Sequence, residues 1–182
     1  MRFTHLGILA FVAAVVAGPL YTVTGYSAVR NLISELSAQN TPGNWIMSAA
    51  FLTLGAGIVA DGTRSFAFHQ LPFIAFGVFM ALAGIFSHKP IDLQLTYVEW
   101  EHTAHSALAT AAGVSVTVGF VWQAVHLQMP LHRLLVAVLA LMCVVLPLAM
   151  FRFPEVQGVV QRVMYALVFM WLWSFYPRDT HG

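Results

Sequence analysis

Charged side chains are scarce in this sequence. Only 8% of its 182 residues are Asp, Glu, Lys or Arg, whereas 59% are hydrophobic, and the mean hydropathy is +0.79. A soluble domain of this length carries far more polar surface, so the composition indicates an integral membrane protein. The net charge of +1 supplies no basic excess for nucleic acid, which we do not expect as a partner.

Cysteine is nearly absent, and so are several common functional motifs. The only thiol, Cys143, lies inside an apolar run, which excludes an intrachain disulfide. The chain has no phosphate-binding P-loop, no dinucleotide glycine fingerprint and no G-x-S-x-G nucleophile elbow. Any chemistry must therefore come from polar residues that are separated along the chain.

Six apolar runs approach the length of about 20 residues that crosses a bilayer core. They cover residues 6–26, 44–60, 71–87, 102–124, 134–150 and 159–175. None alternates apolar and polar residues as a barrel strand would, and hydrocarbon requires each segment to pair its own backbone. The sequence predicts an all-α protein whose residues 1–182 form a single six-helix transmembrane domain. The first run is expected to be a retained helix rather than a cleaved signal peptide.

An even number of spans places both termini on one side of the membrane, the near face. The opposite side, the far face, receives most of the acidic residues and three histidines. Lysine and arginine are equally divided between the two faces. If Arg30 and Arg162 belong to a buried site, the remaining positive charges favour termini in the cytoplasm.

The stretch "NLISELSAQN", residues 31–40, follows the first span. Its apolar residues, with Val29, recur at helical spacing, and the polar residues lie on the opposite side of the same helix: Arg30, Asn31, Ser34 and Glu35. The pattern predicts a short amphipathic helix at the membrane boundary, ended by "TPGN". Its polar side either faces water or covers the bundle, with Glu35 and Arg30 directed inward.

Three histidines occur in or beside "SHKPIDLQLTYVEWEHTAHS", residues 87–106. His102 and His105 project from one side of the fourth helix, and His88 ends the neighbouring span. They could bind a divalent transition metal such as zinc, although the spacing is not a diagnostic motif. A histidine acting as general base beside a carboxylate, solvated histidines at helix ends, and an edge haem are the alternatives.

Arg162 lies about one turn inside the sixth span. An arginine in hydrocarbon needs a partner or water, so we expect an anion: Glu35, Glu155, or a lipid phosphate or carboxylate. The alternative is a side chain that snorkels to the interface. Tyr165, three residues further on, shares the same side of the helix.

Four short segments resemble the six-helix prokaryotic membrane family called domain of unknown function 998: "YSAVRNLISELSAQ", "AGIF", "EHTAHS" and "VVQRVMY". More remotely they are similar to the Frag/DRAM/Sfk superfamily. The resemblance aligns residues 33–35 with an Ile-Ser-Glu motif, His102 or His105 with a fourth-helix histidine, and Arg162 with a sixth-helix arginine. The chain departs from the pattern at Phe86-Ser87-His88, where Phe-Pro is expected.

The remote relatives imply lipid handling or lipid remodelling. With the polar residues of the far face, this resemblance favours a small enzyme of lipid metabolism in a prokaryotic inner or plasma membrane, a hydrolase or an acyl or headgroup transferase. Its partner would be a membrane lipid bound at the far face. In this hypothesis His102 or His105 is the base or a metal ligand, and Glu35 orients it or acts as the acid. Ser34 supplies a hydroxyl, and Arg162 holds an anionic headgroup or an oxyanion. Arg30, Asn31 and Tyr165 would contact substrate. A non-enzymatic binding protein or a transporter is the alternative, and the oligomeric state is left open.

Overall fold

The computed structural model describes residues 2–92 and 94–177. Six helical spans in it are long and apolar enough to cross a membrane, and the third and sixth begin with a short 3-10 helix, at Phe68 and Pro154. Their α-helices are α1 Phe3–Tyr21, α2 Asn44–Arg64, α3 Leu71–Ile85, α4 Glu99–His126, α5 Pro130–Arg152 and α6 Gln157–Phe175. Three short 3-10 helices lie between them at Ile33–Ser37, Phe68–Gln70 and Pro154–Val156. No strand occurs in the two described ranges, so the predicted six-helix transmembrane architecture is confirmed.

Helix α1 ends earlier than the apolar pattern predicts. It stops at Tyr21, where the backbone of Thr22 becomes extended and its N–H still bonds Gly18 O at 3.1 Å. The chain then turns at Gly25, whose φ of +96° favours glycine. The end of the predicted first span therefore belongs to a long connection, residues 22–43, which we call the cap segment.

Consecutive helices pack side by side, and α6 returns to contact α1. Small residues let α2 approach both of its neighbours closely, as the glycines of its sequence predict. A Cβ at Gly55 would lie 2.6 Å from Ala81 N on α3, and a Cβ at Gly57 would lie 2.6 Å from Phe3 O on α1. Alanine at either position would push two helices apart.

Aromatic side chains fill the centre of the bundle. Phe11 of α1 makes edge contacts with Phe51 of α2 and Phe169 of α6, both at 5.1 Å between ring centroids. Phe73 of α3 stacks on Trp171 of α6 at 4.5 Å. These contacts connect helices that are distant in sequence, and they leave the outer surfaces of α4 and α5 to lipid.

Polar groups at the near face anchor the start of the chain. The buried Asp61 carboxylate of α2 accepts hydrogen bonds from the N–H groups of Phe3 and Thr4, at 3.3 and 2.7 Å. These are donors that the first turn of α1 cannot pair within the helix. Asp61 is thus a helix cap at the near face. Three of the five connections between the α-helices, 22–43, 86–98 and 153–156, lie at the opposite end, the far face.

Candidate functional site

The cap segment contains a 3-10 helix where an amphipathic α-helix was predicted. Residues Ile33–Ser37 form it, and Leu32 before it is extended, with φ −67° and ψ 155°. The Glu35 carboxylate accepts a hydrogen bond from Leu32 N–H at 2.5 Å, which closes the turn locally. Ile33 and Leu36 are 1% and 0% exposed, so this segment plugs the far end of the bundle.

The polar residues of the cap segment differ in burial. Ser34 is only 6% exposed, within the 3-10 helix. Asn31 bonds inside the segment: its side-chain oxygen accepts from Ser27 N at 2.8 Å, and its amide donates to the Glu35 carboxylate. Arg30 is exposed, so the prediction that it faces inward is wrong. A side chain with the apolar bundle on one side and water on the other keeps its charge in water.

Arg162 binds backbone carbonyls instead of the predicted anion. Its guanidinium donates to Ala28 O at 2.9 Å, to Asn31 O at 3.1 Å and to Gly158 O at 2.9 Å, and it also donates to the Tyr26 hydroxyl. The partners of the guanidinium among the described residues are thus uncharged, and an anionic lipid group as its partner stays a prediction. The irregular cap backbone leaves carbonyls free, and these satisfy the guanidinium.

Two glutamines that the sequence analysis did not single out complete the attachment of the cap segment. Gln161 Oε1 accepts from Ile33 N at 2.6 Å. On the opposite side, Gln39 donates to Ser87 O and Val98 O, at 3.2 and 3.0 Å, and accepts from Val98 N at 2.7 Å. For Gln161, the sequence offered one signal, its position beside Arg162 in an apolar span. The cap segment thus connects α6 to the α3–α4 connection.

His88, His102 and His105 lie together beside the cap segment, and we call them the histidine cluster. The His88 ring makes T-shaped contacts with the other two rings. Its centroid lies 4.5 Å from that of His102 and 5.5 Å from that of His105. His105 is 2% exposed and His88 is 8% exposed, whereas His102 is half-buried. The cluster therefore extends from the surface into the bundle.

The hydrogen-bond partners fix the tautomers of these rings. His105 Nδ1 lies 2.9 Å from both Ala83 O and Phe86 O, and His88 Nδ1 lies 2.9 Å from Lys89 O. Carbonyl oxygens only accept, so both Nδ1 atoms carry hydrogen and both Nε2 atoms keep a lone pair. His102 Nδ1 accepts from Lys89 N at 3.4 Å, which places its hydrogen on Nε2.

Burial makes this end of the molecule electrostatically unusual. It lowers the pKa of His88 to about 4, and the neighbouring His105, His102 and Lys89 act in the same direction. Burial also raises the pKa of Glu35 above its ordinary value, although Leu32 N–H, Asn31, Lys89 and Arg162 oppose the shift. Lys89, which sequence reasoning did not single out, acts electrostatically on both groups. His88 is therefore neutral at neutral pH, with a cation beside it.

The structure lends no support to a metal centre among the residues it describes. Within them, no three His, Cys, Asp or Glu side chains are arranged to hold a metal ion. The His88 and His102 rings pack against each other, with no space for a haem plane between them.

Tyr165 lies away from the histidine cluster. Its hydroxyl donates to Met80 Sδ at 3.8 Å, and its ring packs on Phe11. It lines a cavity inside the bundle instead of the far-face surface. The expected far-face pocket around residues 31–37 is filled by the cap segment itself, because Ile33 and Leu36 are buried there.

Comparison with known proteins gives one match. Residues 5–175 match the model of a family described as Protein of unknown function (DUF998). No curated protein and no solved structure matches the chain.

Proposed function

We propose that this chain, which belongs to the DUF998 family, is a small membrane-embedded enzyme that cleaves or transfers a lipid ester at its far face. The observation that carries the proposal is the histidine cluster: His88 Nε2 has a free lone pair, His102 Nε2 carries a hydrogen, and Lys89 adds a positive charge. These are a proton acceptor and donors for a developing oxyanion. His88 and Lys89 lie in the connection between α3 and α4, and His102 lies in the first turn of α4, so the site is at the end of two spans, where a lipid would present its headgroup and ester bonds.

The proposed hydrolysis needs one water. His88 Nε2 takes a proton from the water as its oxygen bonds to the acyl carbon, and the carbonyl oxygen becomes an oxyanion. His102 Nε2–H and the Lys89 ammonium stabilise that charge. The C–O bond to the lipid alcohol then breaks, and the leaving oxygen takes the proton from His88, giving a carboxylic acid and an alcohol. A second lipid hydroxyl in place of water would give acyl transfer.

The other predicted residues support this site. Glu35 closes the turn of the 3-10 helix by accepting the Leu32 N–H, and the positive charge of Lys89 stabilises its carboxylate. Arg162 holds the cap segment on α6 through two of its carbonyls, those of Ala28 and Asn31. Ser34 is buried within the cap segment, so the reaction uses water instead of its hydroxyl.

The experiment is turnover of a membrane lipid extract by purified protein, followed by mass spectrometry of the products. We expect His88→Ala and His102→Ala to lose turnover with little loss of thermal stability. Glu35→Gln keeps an oxygen to accept from Leu32 N–H but removes the charge, and we expect reduced turnover. His126→Ala is the matched control, because His126 is exposed near the other end of α4.

A wild-type protein that releases no acid and transfers no acyl group from any lipid of the extract would refute the enzymatic proposal. The burial of Ile33 and Leu36 favours a second candidate, a lipid-binding protein, because a cap segment packed over the far end of the bundle would slow the release of a bound lipid. That function predicts lipid that remains bound through purification without any product.

A further inference from the structure

A small cavity lies inside the bundle, between α3, α4, α5 and α6. Its volume is about 40 Å³, and its wall is almost entirely apolar. The wall includes Phe76 and Met80 of α3, Ala109, Ala112, Gly113 and Val116 of α4, and Tyr165 of α6. All of these residues belong to membrane-crossing helices, so the cavity lies at the depth of lipid hydrocarbon.

The cavity begins directly below the histidine cluster. His105, Ala112 and Val116 are the first three buried residues of α4, at spacings that place them along one side of the helix. Ala109 lies one turn below His105, about 6 Å along the axis. On α3, Ala83 accepts the His105 hydrogen bond, and Met80 lies one turn below it. The polar cluster and the apolar cavity are therefore stacked between the same two helices.

The cavity also reaches the outer surface of α4. Ala109 lines it and is itself exposed, and a Cβ at Gly113 would meet no atom within 4 Å. A water-sized group needs about 10–15 Å³ of such volume, so the cavity has room for about three methylene groups. Its apolar wall suits a short unbranched alkyl segment of the surrounding lipid.

We infer that an unbranched acyl chain enters this cavity at Ala109 and Gly113, with its ester at the histidine cluster, so that straight-chain acyl esters are the substrate class. The inference rests on the proposed function for the reaction, but the position of the chain is separately measurable. In a phospholipid the ester is bonded directly to the acyl chain, whereas the phosphate lies several bonds further away, so a base next to the chain cavity is placed for the ester. The alignment of the two features along α3 and α4 is what favours the ester.

The test is photo-crosslinking in lipid vesicles with a phosphatidylcholine that carries a diazirine on a straight acyl chain. We expect labels on residues 109–116 of α4 and 164–168 of α6, mapped by mass spectrometry. Ala109→Leu and Gly113→Leu should each reduce this labelling several-fold by occupying the entrance. Ala107→Leu is the matched control, since Ala107 is exposed on the same helix but does not line the cavity.

Labelling confined to lipid-facing side chains such as Leu141 in the wild-type protein would overturn the inference, whatever the variants do. Equal labelling of the cavity by a sterol diazirine would overturn its restriction to straight chains. His88→Ala should lose turnover but keep the labelling, so the two proposals fail separately. Cavity labelling without any ester turnover would count against the enzyme alone, and turnover without cavity labelling against the chain site alone.

Discussion

At the scale of single residues, His88 couples the histidine cluster to the stability of the fold. Its pKa falls from 6.5 to about 4 on burial, so between these pH values the unfolded chain binds a proton that the folded chain does not. Stability is then fully present above pH 6.5 and decreases as the pH falls towards 4, by up to about 3 kcal/mol. Thermal unfolding in detergent at pH 7.5, 6 and 5 measures this slope.

The variants for this prediction separate two opposing groups. His88→Gln should remove most of the loss of stability on acidification. The folded pKa of Glu35 is raised above 4.5, so its protonation favours the fold as the pH falls, and Glu35→Gln should steepen the loss. A wild-type unfolding temperature that does not change between pH 7.5 and 5, with His88→Gln unchanged as well, contradicts a neutral buried His88.

Arg162 shows how far residue-level prediction reaches. Its position inside an apolar span correctly indicated that the guanidinium needs a partner. The nature of the partner could not be read from the sequence. The acceptors are the backbone carbonyls of Ala28 and Asn31, and every residue has such a carbonyl, so no residue type identifies them. They are free only because the cap segment is not helical at that point, which is a property of the folded connection.

At the scale of elements, the start of α6 fits closely against the cap segment. Gly158 is buried there, and a Cβ would lie 2.6 Å from Ala28 O and 2.9 Å from Val29 O. We expect Gly158→Ala to displace the cap segment and to destabilise the protein by about 1–3 kcal/mol, the usual cost of overpacking. Unfolding temperature and the rate of proteolysis within residues 22–43 measure the two effects.

Gly113→Ala is the matched control for Gly158→Ala. Both glycines lie in transmembrane helices, but a Cβ at Gly113 meets no atom within 4 Å. Alanine has the higher helix propensity, so this control should keep or slightly increase stability. If Gly158→Ala behaves like Gly113→Ala, the cap segment does not contact α6 as described.

The cap segment also explains why its helix type was mispredicted. Its apolar residues do recur at helical spacing, and Ile33 and Leu36 are buried as that pattern requires. However, Asn31 and Glu35 use their side chains to pair the backbone N–H groups of Ser27 and Leu32. Such local bonds compete with the α-helical ladder, so a single 3-10 turn forms instead.

At the scale of the whole molecule, the six spans could be predicted because hydrocarbon allows few alternatives. Every backbone group must be paired within its own segment, so length and hydropathy together identify the helices. The helix ends are less constrained: α4 extends over Glu99–His126, beyond the predicted 102–124, because polar side chains at both ends can reach water. The even number of spans predicted that the histidine cluster lies on one face, but the contacts between its rings depend on the fold and could not be predicted from the sequence.

The last prediction is that the cap segment and the α3–α4 connection lie on the same side of the membrane. The cap segment and the α3–α4 connection lie together, since Asn40 donates to Thr96 O at 2.6 Å. In a Cys143→Ala background, Pro42→Cys and Gln94→Cys should react with a membrane-impermeant maleimide from one side, and Gln128→Cys from the other. If the termini are cytoplasmic, the first two label in intact cells and the third in inverted vesicles. Labelling of Pro42→Cys and Gln94→Cys from opposite sides would separate the cap segment from the histidine cluster and remove the site on which both proposals depend.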